Sequence, residues 1–475
     1  MSNKDLLYYE DYDIDNYDDS FEYSYDDHEL TSSYDLSDTF NCGKTVLKQI
    51  SQQIFYLILI NFIYRLIRQT ALLPEFLKHL SSSLLGFLST FIFFTNGNYY
   101  VILLAFISYG FLKLLQFYNV RRKGILSIAF QIITIFSCEI IERDTTIWQN
   151  LRGSALIISM KTISLAFDIG SNKLNKLPAI YVYAGYMLCP ANVVLGPFVS
   201  YTSYCQTSPK TFKLVSLKVF FQAFLNSLMS IVFIFLSTCF LNYLLSDDVS
   251  FFVTYRDALI FRCSHYFVSF MSVACLIISG IDYRTSSEVF GYQVTRPLDI
   301  ELPRSLVPVV ISWNIPIHLW IKSYIFENLK RYGKFKAIIL TYLISSSLHG
   351  LNVQLAAVLL SIGIFSYVEF RLRNLLAEIL DACIAANKCL IDSKGCCITK
   401  GHEFTTKLHW VKLINFIFGV FTIVLLAYLG VLLDTSIDGN NEFSLHTNLK
   451  KWYDLNFFGH IIVLIWYIMY LISKN

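Results

Sequence analysis

The sequence is short of charge. Asp, Glu, Lys and Arg make up 15% of its 475 residues, against about 25% in a soluble domain. Hydrophobic residues make up 55% and the mean hydropathy is +0.51. Together these exclude a water-soluble globule: so much apolar surface must face lipid. A basic patch interleaved with aromatics is also missing, which argues against a nucleic-acid partner. The 11 cysteines are an odd number and most lie in apolar runs (Cys138, Cys189, Cys239, Cys263, Cys275). They are expected as small buried hydrophobes and not as a secreted disulfide framework. No cleavable leader opens the chain, so the first membrane helix is expected to serve as an uncleaved insertion signal. No internal repeat is visible, which weighs against a transporter built from related halves, and no Cys/His set has metal-ligand spacing.

The charge that is present is unevenly placed. Thirteen of the 35 acidic residues lie within residues 1–40, where Lys4 is the only Lys or Arg. Residues 1–43 are therefore expected as an acidic, Tyr-rich disordered tail, too poor in aliphatics to pack. Residues 44–475 carry the membrane domain, with basic residues in short connections such as Arg121-Arg122-Lys123, as in loops near anionic headgroups. Apolar runs centre on 53–69, 82–95, 99–118, 124–142, 152–168, 179–199, 219–245, 258–280, 306–328, 336–371, 411–433 and 457–473. The run 336–371 is too long for one crossing and is expected to hold a hairpin. An all-α polytopic protein of about eleven membrane helices follows.

A polar group inside such a run is costly and marks a candidate site. His265, His318, His349 and His460 lie in or beside apolar runs; around His265 and His318 nothing converges, so packing is the expectation there. His349 differs. Lys330, Arg331, Lys334 and Lys336 precede its segment, and Arg371 and Arg373 follow the next, so the chain enters and returns with Gly350 near the turn. About 13 helical residues rise ~20 Å, placing His349 past the membrane midplane. A neutral imidazole there can accept a proton, or be satisfied by Ser345 or Ser346 as a core residue. Asn314, two residues before Pro316, either bonds carbonyls freed by the proline or presents two donors to an oxyanion. Trp313, Ile317, Trp320 and Tyr324 fall at helical spacing, as core or as an acyl-tunnel wall. Cys383, Cys389, Cys396 and Cys397 share a basic connection and are expected as reduced thiols, with reversible acylation the alternative.

Trp313-Asn314 and, some 35 residues on, Leu348-His349-Gly350 resemble the signature of the membrane-bound O-acyltransferase family. SMKTISLAFD (159–168) and AGYMLCPANVVLGPF (184–198) resemble its tyrosine–proline–glycine-proline region, and the likeness extends from about residue 50 to the C-terminus; the acidic tail has no counterpart. The resemblance implies a core with a central acyl and acceptor tunnel, lined by candidates Trp313, Trp320, Tyr324 and Ser346. It implies His349 as catalytic histidine, Asn314 as its partner, palmitoleoyl-CoA as co-substrate with no permanently bound cofactor or metal, and a serine of Wnt proteins as acceptor at the endoplasmic reticulum membrane. His349 is expected to deprotonate the acceptor hydroxyl directly; an acyl-enzyme on Ser345, Ser346 or Ser347 is the competing route. Lipid, sterol or secreted-peptide acceptors, and a non-enzymatic transporter or receptor, are the other readings.

Overall fold

A computed structural model describes residues 36–142, 145–206, 217–241, 250–281, 293–388, 402–433 and 445–474. Residues 1–35 of the acidic tail lie outside them, as do Cys389, Cys396 and Cys397. In hydrocarbon an unpaired N–H or C=O costs several kcal/mol, so a spanning segment must pair its own backbone. The described chain accordingly runs as helices: α1 (Leu36–Gln69), α2 (Glu75–Phe94), α3 (Asn98–Phe117), α4 (Lys123–Ile141), α5 (Thr145–Gly170), α6 (Ile180–Met187), α7 (Tyr201–Gln206), α8 (Leu217–Phe235) and α9 (Ser250–Ser279). There follow α10 (Pro297–Glu301), α11 (Leu306–Trp313), α12 (Ile315–Trp320), α13 (Lys334–Leu348), α14 (Val353–Ile379), α15 (His409–Gly430), α16 (Leu445–Asp454) and α17 (Phe458–Lys474). Nine helices among the described residues are long and apolar enough to cross a membrane. The expected hairpin in 336–371 is α13 and α14, of 15 and 27 residues.

Burial ranks the helices. In α5, 83% of the most apolar stretch is buried, against 11% in the α8 region. α5 is thus the axis of the protein, and α8 shows lipid a face of Phe220, Phe221, Phe224 and Leu228. The run 179–199 does not cross as expected. α6 stops at Met187, and the chain then turns irregularly with Cys189, Ala191 and Val193 still buried. Such backbone survives at depth only if protein supplies partners. Lys161 of α5, wholly buried, does so, reaching Tyr186 O (2.7 Å), Met187 O (3.1 Å) and Asn192 Oδ1 (2.8 Å). α2 packs against the segment through small residues, with Ser82 Oγ donating to Gly185 O at 2.8 Å. At Gly86 a Cβ would fall 1.4 Å from Leu188 O, so only glycine permits the crossing.

One cysteine reading needs correction. Cys239, expected as a buried hydrophobe, forms a disulfide with Cys42 across 197 residues. The bond joins the start of α1 to a short π-helical end, Leu236–Phe240, that continues α8. Cys383 is buried beside Ala382, Ile384 and Val411. A second polar knot fixes the entry to α11: fully buried Arg373 pairs with Glu369 at 3.4 Å and donates to Ile384 O and Asn415 Oδ1. Glu369 Oε2 in turn accepts from Leu306 N at 2.8 Å. Breaking one member of such a buried pair would cost about 3–5 kcal/mol.

Candidate active site

His349 follows the last residue of α13. Its N–H donates to Ser346 O at 3.0 Å, and the Gly350 N–H to Ser347 O at 3.2 Å. Gly350 has φ +90°, a conformation that side-chain-bearing residues avoid. The turn ends where Asn352 caps α14, its Oδ1 accepting from Leu355 N at 2.8 Å. The helix therefore stops abruptly and leaves the half-buried imidazole at its tip. Ser346 and Ser347 both donate their hydroxyls to Leu343 O at 2.9 Å, within their own helix. Ser345 and Ser346 are buried.

Asn314 sits at a break. Its backbone is extended (φ −148°, ψ 91°) between α11 and α12. Its Oδ1 accepts from Ile317 N at 3.2 Å, and Pro316 occupies the first turn, where no N–H is needed. The cap uses only the carbonyl of the amide and does not engage its Nδ2 donors. The two roles weighed in the sequence are compatible.

The flanks of Asn314 are pinned from two directions. Residues 294–296 run beside it: Arg296 N donates to Ser312 O (3.0 Å), Thr295 Oγ1 to the same oxygen (3.0 Å), and Ile315 N to Val294 O (2.8 Å). From α9, His265 Nε2 lies 2.8 Å from Trp313 O, and its ring stacks on the indole with centroids 4.3 Å apart. His265 is thus a packing residue, as expected, but one that supports Asn314. His318 joins this frame only through its backbone, its N–H donating to Asn314 O at 2.9 Å, and His460 is held far along the chain by Tyr428 OH (2.7 Å) and Ser361 (3.1 Å).

The aromatic stripe does not form one face, because the break at Asn314 splits it. Trp320 donates from Nε1 to Ser164 Oγ of α5 at 2.7 Å, and Tyr324 OH lies 3.2 Å from both Asp168 oxygens. Ile317 packs against the same central cluster. Trp313, one residue before the break, turns instead to α9. Lys161, Ser164, Asp168 and Asn192 were not singled out from the sequence, although a lysine inside an apolar run is itself a signal.

A cavity of about 960 Å³ opens between α8, α9 and residues 293–299. Its walls carry Lys218 and Arg296 beside apolar Val219, Leu225, Phe270 and Ile277. Val294, Thr295 and Arg296, which line it, are the residues that clasp Asn314.

Residues 127–379 match the family model for MBOAT, the membrane-bound O-acyltransferase family. The chain belongs to the membrane-bound O-acyltransferase family. The matched span of the O-acyltransferase runs from α4 to the last residue of α14 and so contains Lys161, Asn192, Asn314 and His349. Over 90% of its length the chain is 33% identical to mouse "Protein-serine O-palmitoleoyltransferase porcupine", covering 96% of that protein. It is 31% identical to the Anopheles gambiae protein of the same name, over 91% of this chain and 93% of that one. A thinner likeness, 23% over 52% of this chain, links it to Arabidopsis thaliana "Lysophospholipid acyltransferase 2". The O-acyltransferase is a multi-pass membrane protein.

Proposed function

We propose that this O-acyltransferase is a protein-serine O-palmitoleoyltransferase of the endoplasmic reticulum membrane, transferring the acyl group of palmitoleoyl-CoA to a serine of Wnt proteins. The observation that carries the reading is the 33% identity across 90% of the chain and 96% of the mouse transferase. The lysophospholipid enzymes match little more than half of it. A thioester is already activated, so the chemistry needs one base and one oxyanion donor. His349 takes the proton of the acceptor hydroxyl as its oxygen attacks the thioester carbonyl. Asn314 Nδ2 donates to the oxyanion of the tetrahedral intermediate; collapse expels CoA as thiolate, which the imidazolium reprotonates. Ser346 and Ser347 donate to Leu343 O and not toward His349, an arrangement that favours direct transfer over an acyl-serine. We assign the cavity beside residues 294–296 to the CoA end, with Lys218 and Arg296 placed for its phosphates. Trp320 and Tyr324, locked to α5, form a wall for the acyl chain.

The test is expression of the chain and of His349→Ala in cells without their own activity of this kind, with an alkynyl monounsaturated fatty acid and a co-expressed Wnt protein. Labelling by the parent chain and at least ~100-fold less by the variant, at equal expression, is expected. Full labelling by the variant removes His349 from the chemistry. Labelling of lysophospholipid instead of protein replaces the acceptor.

A further inference from the structure

The turn that carries His349 is held by a group from outside the hairpin. Glu139, near the end of α4, accepts from the Leu351 N–H through Oε2 at 2.6 Å. Its other oxygen, Oε1, takes Arg152 Nη2 of α5 at 2.6 Å. Glu139 and Arg152 are 13% and 25% exposed at the side chain, on two helices apolar enough to cross a membrane. A partly buried pair of this kind adds little stability over apolar packing, so its presence asks for another reason. Gly350 supplies it. A Cβ on Gly350 would lie 2.4 Å from Glu139 Oε2, so glycine is what admits the carboxylate to the backbone of the turn.

We infer that Glu139 and Arg152 are positioning residues for the acyl transfer: Glu139, oriented by Arg152, clamps the Gly350–Leu351 backbone to α4 and α5 and thereby sets where the imidazole of His349 stands. The inference rests on the reading of His349 as the base. At this end of α13, Leu348 also packs into the central cluster, so the clamp adds a polar anchor for the turn backbone beside that apolar one. Misplacing a catalytic group by about 1 Å costs up to ~100-fold in rate.

The test uses the full chain, purified and reconstituted, with palmitoleoyl-CoA and a Wnt serine peptide. Glu139→Ala is expected to lower kcat on the order of 10- to 100-fold while the KM for palmitoleoyl-CoA stays within about twofold. Glu139→Gln keeps an oxygen for Leu351 N–H and is expected to retain at least about a third of kcat. Gly350→Ala strains the φ +90° turn as well as displacing the carboxylate, so combining it with Glu139→Ala is expected to be no slower than Gly350→Ala alone. An unchanged kcat in Glu139→Ala overturns the inference, as does a Gln variant no better than the Ala variant. So does a kcat loss accompanied by equal loss of palmitoleoyl-CoA binding and a lower unfolding temperature, since that marks general damage. His349→Ala in the same assay separates the two readings. If it remains active, the base assignment has failed; if it is dead and Glu139→Ala is fully active, only the clamp has.

Discussion

At the residue scale, the proposed mechanism gives Asn314 two jobs with two ends of one amide. Oδ1 caps α12 at 3.2 Å, and Nδ2 is assigned by that proposal to the oxyanion. Aspartate is as good an N-cap as asparagine but has no donor when ionised. Asn314→Asp is therefore expected to keep the thermal midpoint of the parent chain and lose 10²–10³-fold in turnover. Asn314→Ala is expected to lose the same turnover and, in addition, about 1 kcal/mol of stability. Thermal unfolding in detergent, run beside the transfer assay, separates cap from chemistry; an active Asp variant removes the donor role.

At the scale of elements, close packing decides where the irregular chain after α6 lies. Gly86 on α2 meets Leu188 O so closely that a methyl group would occupy the oxygen's place. A methyl group on Gly110 of α3 would meet nothing within 4 Å. Gly86→Ala is expected to destabilise by roughly 2 kcal/mol or more through forced displacement of residues 185–189. Gly110→Ala is expected to be neutral or to stabilise by up to about 1 kcal/mol, as alanine is the better helix former. The pair checks the packing against helix propensity in one experiment, with unfolding temperature as readout. Equal effects would show that α2 and α6 are not in close contact at Gly86.

For the whole molecule, the Cys42–Cys239 disulfide orients the bundle. Disulfides persist in oxidising compartments, which puts the start of α1 and the end of the α8 region on the non-cytosolic side. Arg121–Lys123 lies three crossings from Cys42, through α1, α2 and α3, and Lys218 lies one crossing from Cys239, so both face the cytosol. The distribution of basic loops agrees. It also puts the cavity bearing Lys218 and Arg296 on the cytosolic side, as its proposed assignment to the CoA end requires. In sealed microsomes a membrane-impermeant maleimide is expected to label a cysteine placed at Arg122. Cys42 and Cys239 are expected to react only after both detergent and reductant; labelling of either from outside intact vesicles inverts the topology.

Sequence alone determined the membrane environment and singled out the candidate positions for chemistry. Hydropathy over some 20 residues reports a helix whose backbone must satisfy itself in lipid, which is why the membrane class and the α13–α14 hairpin were legible. Asn314 and His349 stand out in the sequence as candidates because polar groups at depth are costly. Tertiary structure decided what depends on contacts between distant segments. The apolar run 179–199 reads as a crossing, yet Lys161 and Gly86 make an irregular path satisfiable there. Trp313 and Trp320 share a helical spacing, but the extended backbone at Asn314 sends them to different helices. Cys42 and Cys239 stand 197 residues apart, with nothing local to pair them. Glu139 reads as one acidic residue at a helix end until the fold brings the His349 turn within 2.6 Å of it. Local hydropathy is a property of neighbours in sequence, whereas a partner's identity is fixed only when helices pack.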